Sequence, residues 1–215
     1  MAEGRAIHNL ELMERWILGS ADILDGITAL KSPRTALPGA MFHLGIQYQH
    51  SISVLCRKGL YAGAFALLRP LVEVMFRGAW LRFAATDQQI RDFADGRHVP
   101  GRTEIDRDLE KAKPRYKKIR AHLDRTYGEF LHDFTHGGHQ QMWSRIRNGS
   151  ICEGHEEENV ENLLHVAAIL GYICSVEIAN SCESRPHADR LQGLFYSIFP
   201  RRGTLNGLAN ESEPA

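Results

Sequence analysis

The sequence predicts an all-α protein: a helical bundle with an additional charged helical segment outside it. Three observations predict this class. Apolar residues recur with a period near 3.6 along most of the chain. One segment, AGAFALLRPLVEVMFRGAWLRF, is apolar almost all round, as a helix buried on most sides must be. Nowhere does a β-branched run alternate with period 2 between turn signals.

The first predicted helix covers 5–30, on the spacing of Ile7, Leu10, Met13, Ile17, Leu18, Ala21, Leu24 and Ile27. LKSPRTALPG breaks it with two prolines and a closing glycine. A second helix runs from about 40 to 58 and stops at Gly59. The apolar helix follows over 61–83, with Pro70 expected to kink it. A short helix lies near 87–95. Pro114 splits the charged stretch from Glu104 to Tyr127 into two. LHDFTHGGHQQMW comes next, then a loop, RNGSICEGHE, over 147–156. Helices over 156–183 and 186–198 complete a single domain, 1–199, and 200–215 is expected to be a flexible tail.

The 215 residues suffice for one large domain or two small ones. Apolar residues at 43% and charged residues at 24% are ordinary for a soluble globular chain, so a sizeable core is expected. The 26 basic and 26 acidic side chains balance, so no whole-molecule field steers the protein to nucleic acid or anionic lipid. Cys56, Cys152, Cys174 and Cys182 form no CxxC pair. MAEGRAIHNLELMERW lacks the pattern of a secretory signal, and no apolar run is read as a membrane span. The expectation is a cytoplasmic protein with reduced thiols and no membrane partner.

Within the apolar helix the polar residues are Arg69, Glu73 and Arg77, at i, i+4 and i+8, hence on one face. Charges in such a helix need partners. The preceding helix offers His43, Gln47, His50 and Ser51 along one side, and the short turn between the two makes them antiparallel neighbours. Two readings stand: a buried polar pocket for a ligand, or an ion-pair network that sets helix register.

GLYAGAFALLRPLVEVMFRGAWL carries Leu67-Leu68-Arg69-Pro70-Leu71-Val72-Glu73, and Phe134-Thr135-His136-Gly137-Gly138 is an aromatic-His-Gly stretch. The pair resembles the signature elements of a group of uncharacterised bacterial helical proteins. These are similar in turn to the HEPN superfamily of helical bundles, which includes ribonuclease toxins and abortive-infection proteins. The resemblance implies a HEPN-like bundle of bacterial toxin or phage-defence type that forms a homodimer, with an RNA or protein partner. It also implies an Arg-polar-x4–6-His motif as the catalytic element. Arg91-Asp92 to His98, in RDFADGRH, matches that spacing. Cleavage beside a 2′-OH needs a proton acceptor near neutral pH and a cation for the developing phosphorane charge. His136 or His98 would be the acid/base, Arg69 or Arg91 would hold phosphate, and Glu73 would orient the arginine. No arginine stands at that spacing upstream of His136.

His132, His136 and His139 sit at i, i+4, i+7, a spacing that allows a metal site, completed by Cys152 or His155; Gly137-Gly138 breaks the shared face. Lys111, Lys113, Arg115, Lys117, Lys118 and Arg120 form a basic run around Tyr116, flanked by Glu104, Asp106, Asp108, Glu110 and Asp124, which reads as a solvated, salt-bridged face. No Gly-rich phosphate loop, GxSxG elbow or DxDxDG loop is present, so no cofactor is expected. The expected function is a non-catalytic or regulatory bundle that binds a partner or ligand through Arg69, Glu73, Arg77, His43, Gln47 and His50. The alternatives are a metal-independent endoribonuclease toxin and a His-rich metal-binding helical protein.

Overall fold

Glycines with positive φ and prolines near helix starts set the element boundaries of this chain. Its computed structural model describes residues 3–28, 32–135, 138, 142–143, 145–147, 149–151 and 155–200, with 129–135 and 147 described by backbone alone. Among these are eight helices: α1 Glu3–Leu24, α2 Pro33–Arg57, α3 Tyr61–Phe83, α4 Asp87–Ala94, α5 Arg102–Ala112, α6 Arg115–Thr135, α7 Glu157–Ser181 and α8 Arg185–Ile198. One antiparallel hairpin, β1 (Ile146–Arg147) and β2 (Ser150–Ile151), pairs Ile146 with Ile151. The protein is an all-α bundle.

α1 ends at Leu24, earlier than its apolar period implies, because Gly26 turns the chain at φ +73. α2 starts at Pro33, inside the expected break. Proline at the first helical position lacks only an N–H that would go unpaired there, and Pro38 is carried within the helix. The α2 end is a Schellman motif: Gly59, at φ +72, donates to the Cys56 carbonyl at 3.0 Å, and Leu60 donates to the Leu55 carbonyl at 2.9 Å. Pro70 does not interrupt α3. At α4, Thr86 and Gln89 form a reciprocal capping box. The hairpin falls in a stretch read as loop. Its turn contains Gly149 at φ +75, the conformation that tight hairpin turns require.

α2 packs along α3 and α7, α1 lies on α7 and α8, and α5 and α6 cover a further side of α3. The charged segment therefore belongs to the bundle rather than lying outside it. Ile105 and Leu109 of α5, with Tyr116, Ile119, Leu123 and Tyr127 of α6, recur at helical spacing and are buried. At the opposite side Trp16 of α1 meets Phe195 of α8 edge-on at 5.2 Å, and Tyr172 of α7 stacks on Phe195 at 4.3 Å. Glu157 at the start of α7 accepts the Arg5 and Ala6 backbone N–H groups, both at 3.2 Å, and so caps α1 from a neighbouring helix.

α7 is long and apolar enough to cross a membrane, a length of apolar chain the sequence reading had not recognised. Yet 78% of its apolar window is buried inside the bundle, the burial of a core helix. Close approach of α2, α3 and α7 depends on glycines. A Cβ on Gly78 would lie 2.8 Å from a Phe42 ring carbon, and one on Gly45 would lie 2.7 Å from Cys174 Sγ. A Cβ on Gly171 would overlap the carboxamide of Gln49, which is buried and would have to shift.

Gly171→Ala is therefore expected to destabilise the bundle. Overpacking costs about 1–3 kcal/mol and exceeds the roughly 1 kcal/mol that alanine gains as a helix former. Urea unfolding of G171A, Q49A and the double variant checks this; the double variant should recover part of the loss, and a more stable G171A contradicts the packing account.

His165 of α7 is held below the usual histidine range by burial and then by nearby His122. His122 is also held low, by burial and then by Arg125, whose Nη2 lies 3.3 Å from its Nδ1. The folded state thus prefers neutral rings. This stability is fully present above the unfolded value of 6.5 and is lost as pH falls through the histidine range. Thermal unfolding from pH 8 to 5 should show this loss, with a shallower slope in His165→Gln; an unchanged slope overturns the assignment.

Candidate functional site

α3 turns most of its surface inward, and the polar stripe lies on what remains. Arg69 Nε donates to Glu73 Oε1 at 3.1 Å, and Arg77 Nη2 lies 3.6 Å from Glu73 Oε2. The three side chains form one i, i+4 ladder, as their spacing predicts. Their side chains are 39%, 42% and 30% exposed in chain order. The ladder is thus half-exposed rather than the floor of a buried pocket. Arg77 Nε is buried without a hydrogen-bond partner among the described residues.

His43, Gln47 and His50 do not join it. All three are exposed on α2 and make no side-chain hydrogen bond or ion pair among the described residues. The reason is helical phase. Pro38, Phe42, Gly45, Gln49, Ile52, Ser53 and Cys56 are the buried positions of α2, which leaves 43, 47 and 50 on the outer side. The inward polar residues are Gln49 and Ser53.

Arg91 and His98 are likewise kept apart in their bonding. Arg91 Nη2 donates to Gln88 Oε1 at 2.8 Å on α4. His98, in the turn before α5, lies with Nε2 3.0 Å from Glu104 Oε2. Asp92 binds neither side chain. It accepts Gln88 Nε2 at 3.0 Å and Arg97 Nε at 2.9 Å, which hold its carboxyl below the usual range. Arg91 and His98 thus make no hydrogen bond to each other among the described residues. His136 and His139 lie outside the described residues, as does the side chain of His132; the helix that leads to them, α6, runs to Thr135. α6 is antiparallel to α3, since Tyr116 lies against both Phe83 and Phe76 while Arg120 lies over Phe76. Among the described residues no group of three His, Cys, Asp or Glu side chains is placed to hold a metal ion.

The strongest polar cluster is one the sequence reading missed. Glu177 of α7 is 2% exposed. Its carboxylate pairs with Arg82 of α3 and Arg115 of α6, and accepts from Tyr116 Oη at 3.1 Å. Arg82 Nη1 also donates to the Glu177 carbonyl at 2.9 Å. Burial opposes the Arg115 charge, but Tyr116 and Glu177 outweigh it and raise its pKa above the ordinary range. Burial and then the Glu177 charge raise that of Tyr116. Both guanidiniums lie near the Phe83 ring, at 4.8 and 5.9 Å from its centroid. The available signal was a lone glutamate in the apolar run ILGYICSVEIA, which requires a cationic partner.

The class defined by this geometry is an all-helical bundle with a half-exposed Arg–Glu–Arg ladder on its core helix. Residues 42–200 match a family of unknown function, DUF6988, and the chain belongs to that family. Comparison with curated proteins finds no match. Comparison with solved structures also finds none.

Removing the Glu177 charge strands two partly buried arginines. Glu177→Ala is expected to lose roughly 3–5 kcal/mol of folding stability, and Glu177→Gln somewhat less, because it keeps the volume and one acceptor. Chemical denaturation measures both; a stability change below about 1 kcal/mol for the alanine variant contradicts a structural role for the cluster.

Proposed function

We propose that this chain is a HEPN-like helical protein of bacterial defence or toxin type that acts by binding rather than by catalysis. Its binding face is the Arg69–Glu73–Arg77 ladder of α3, and its partner is an RNA or a protein carrying phosphates or carboxylates. The observation that carries this reading is the ladder itself. A helix buried on its other faces keeps two guanidiniums half-exposed on either side of one carboxylate. Such a face suits bidentate recognition of an oxyanion. Against catalysis stands the engagement of Arg91 by Gln88 and of His98 by Glu104. The free thiols of Cys56, Cys174 and Cys182 suit the reducing cytoplasm.

The test uses the purified full chain with total RNA and with tRNA, with and without EDTA. The expected result is intact RNA. Fluorescence anisotropy with a labelled single-stranded RNA is expected to detect salt-sensitive binding, weakened about tenfold in an Arg69→Gln, Arg77→Gln double variant. Cleavage that survives EDTA and disappears in Arg91→Ala or His98→Ala replaces this reading with the endoribonuclease. EDTA-sensitive cleavage replaces it with the metal-binding reading.

A further inference from the structure

Between α5 and α6 lies a cavity of about 220 Å³ that the ladder does not touch. Its floor is apolar, formed by Phe76, Leu109 and Tyr116. All three are buried, and the Tyr116 hydroxyl is committed to Glu177. An engineered apolar cavity of roughly 150 Å³ accepts benzene, so this one has room for a six-membered ring and a small polar substituent.

The polar edge is set by Arg120. Its side chain is only 14% exposed, and its guanidinium lies 3.6 Å over the Phe76 ring. Nε donates to Asp106 Oδ1 at 2.9 Å. The two terminal nitrogens carry no hydrogen bond among the described residues. Burial holds the Arg120 pKa below the usual range. Guanidinium N–H groups that line a cavity without an acceptor are the open half of a hydrogen bond.

The remaining charges decide what kind of acceptor fits. Asp106 and Asp124 both pair with Arg102, and Glu110 pairs with Lys117. The lining holds two cations, Lys117 and Arg120, and three carboxylates, and Arg102 from outside the lining supplies the third cation, so every carboxylate is already paired and no net charge is left to draw an ionic ligand. Asp124 Oδ1 has no bond among the described residues and remains as an acceptor at the rim. A ligand that satisfies the site has a flat apolar body, a carbonyl oxygen for Arg120 and an N–H for Asp124.

We propose that the α5–α6 cavity binds a small, neutral, planar molecule bearing a carboxamide, with its ring on Phe76, Leu109 and Tyr116 and its carbonyl oxygen accepting from Arg120. The site is independent of the ladder on α3.

Benzamide is the probe, with toluene and benzoate as controls, titrated into the full chain and followed by 1H–15N spectra. The expected outcome is a Kd on the order of 1 mM for benzamide, with shifts confined to α5, α6, the turn of α3 around Phe76 and the Arg120 side chain. Toluene and benzoate should bind at least about tenfold more weakly, the cost of one hydrogen bond to a charged group. Arg120→Lys keeps the charge but loses the planar donor fork, and should remove the preference for benzamide over toluene. Ala121 is exposed at the cavity wall, so Ala121→Trp should block binding while leaving the circular dichroism spectrum unchanged. Equal binding of toluene, tighter binding of benzoate, unchanged selectivity in Arg120→Lys, or shifts elsewhere each overturn the proposal. Absence of any shift at about 10 mM benzamide overturns it as well.

Discussion

The Glu177 carboxylate must be neutralised inside the protein, and much of the architecture answers that requirement. A carboxylate that is almost wholly removed from water costs several kcal/mol unless cations and donors replace its hydration. Arg82 comes from the last turn of α3, Arg115 from the first residue of α6 and Tyr116 from the next. The end of α3 and the start of α6 are therefore both held against one turn of α7. Within α7, Ser181 also donates to the Glu177 carbonyl, at 2.7 Å. Once α6 starts there, its apolar spacing runs back along α3 and encloses the cavity beneath α5.

The second constraint is closeness. α2 and α7 approach each other until Gln49 fills the notch at Gly171, and Gly78 receives the ring of Phe42. Those contacts fix the rotation of α2, and the rotation decides which polar residues see solvent. His43, Gln47 and His50 are turned outward by it, whereas Gln49 is turned in. On α3 the same packing uses up most of the helix surface and leaves Arg69, Glu73 and Arg77 a partly open strip. The half-exposed ladder and the buried clamp are thus two outcomes of the same packing: charges on the strip keep water, and charges at the helix ends exchange it for one another.

Local signals were legible where one element suffices to interpret them. The bounds of α3 follow from its apolar length and the Gly59 stop, and the common face of Arg69, Glu73 and Arg77 follows from 3.6-residue geometry. The split at Pro114 follows from proline chemistry. The α5–α6 segment was legible too, but its charge density masked the buried positions Ile105, Leu109, Tyr116, Ile119, Leu123 and Tyr127. Asn148-Gly149 was a hairpin signal within a stretch read as loop. The candidate site was legible only in part. Spacing alone says that His43, Gln47 and His50 share a side of α2, and it cannot say whether that side faces α3 or water.

The sequence by itself determined the all-helical class, nearly every helix and the shared face of the α3 charges, because these depend on residues three to eight apart along one helix. Tertiary structure alone decided that the ladder is open, that Arg91 and His98 bind Gln88 and Glu104, and that Arg120 lines a cavity with unpaired donors. It alone brought Arg82, Arg115 and Glu177 together across 95 and 62 positions of sequence. The physical reason is that a charge's energy depends on its solvent exposure and its partners, and both are set by how helices rotate and cross, which no single helix's sequence specifies.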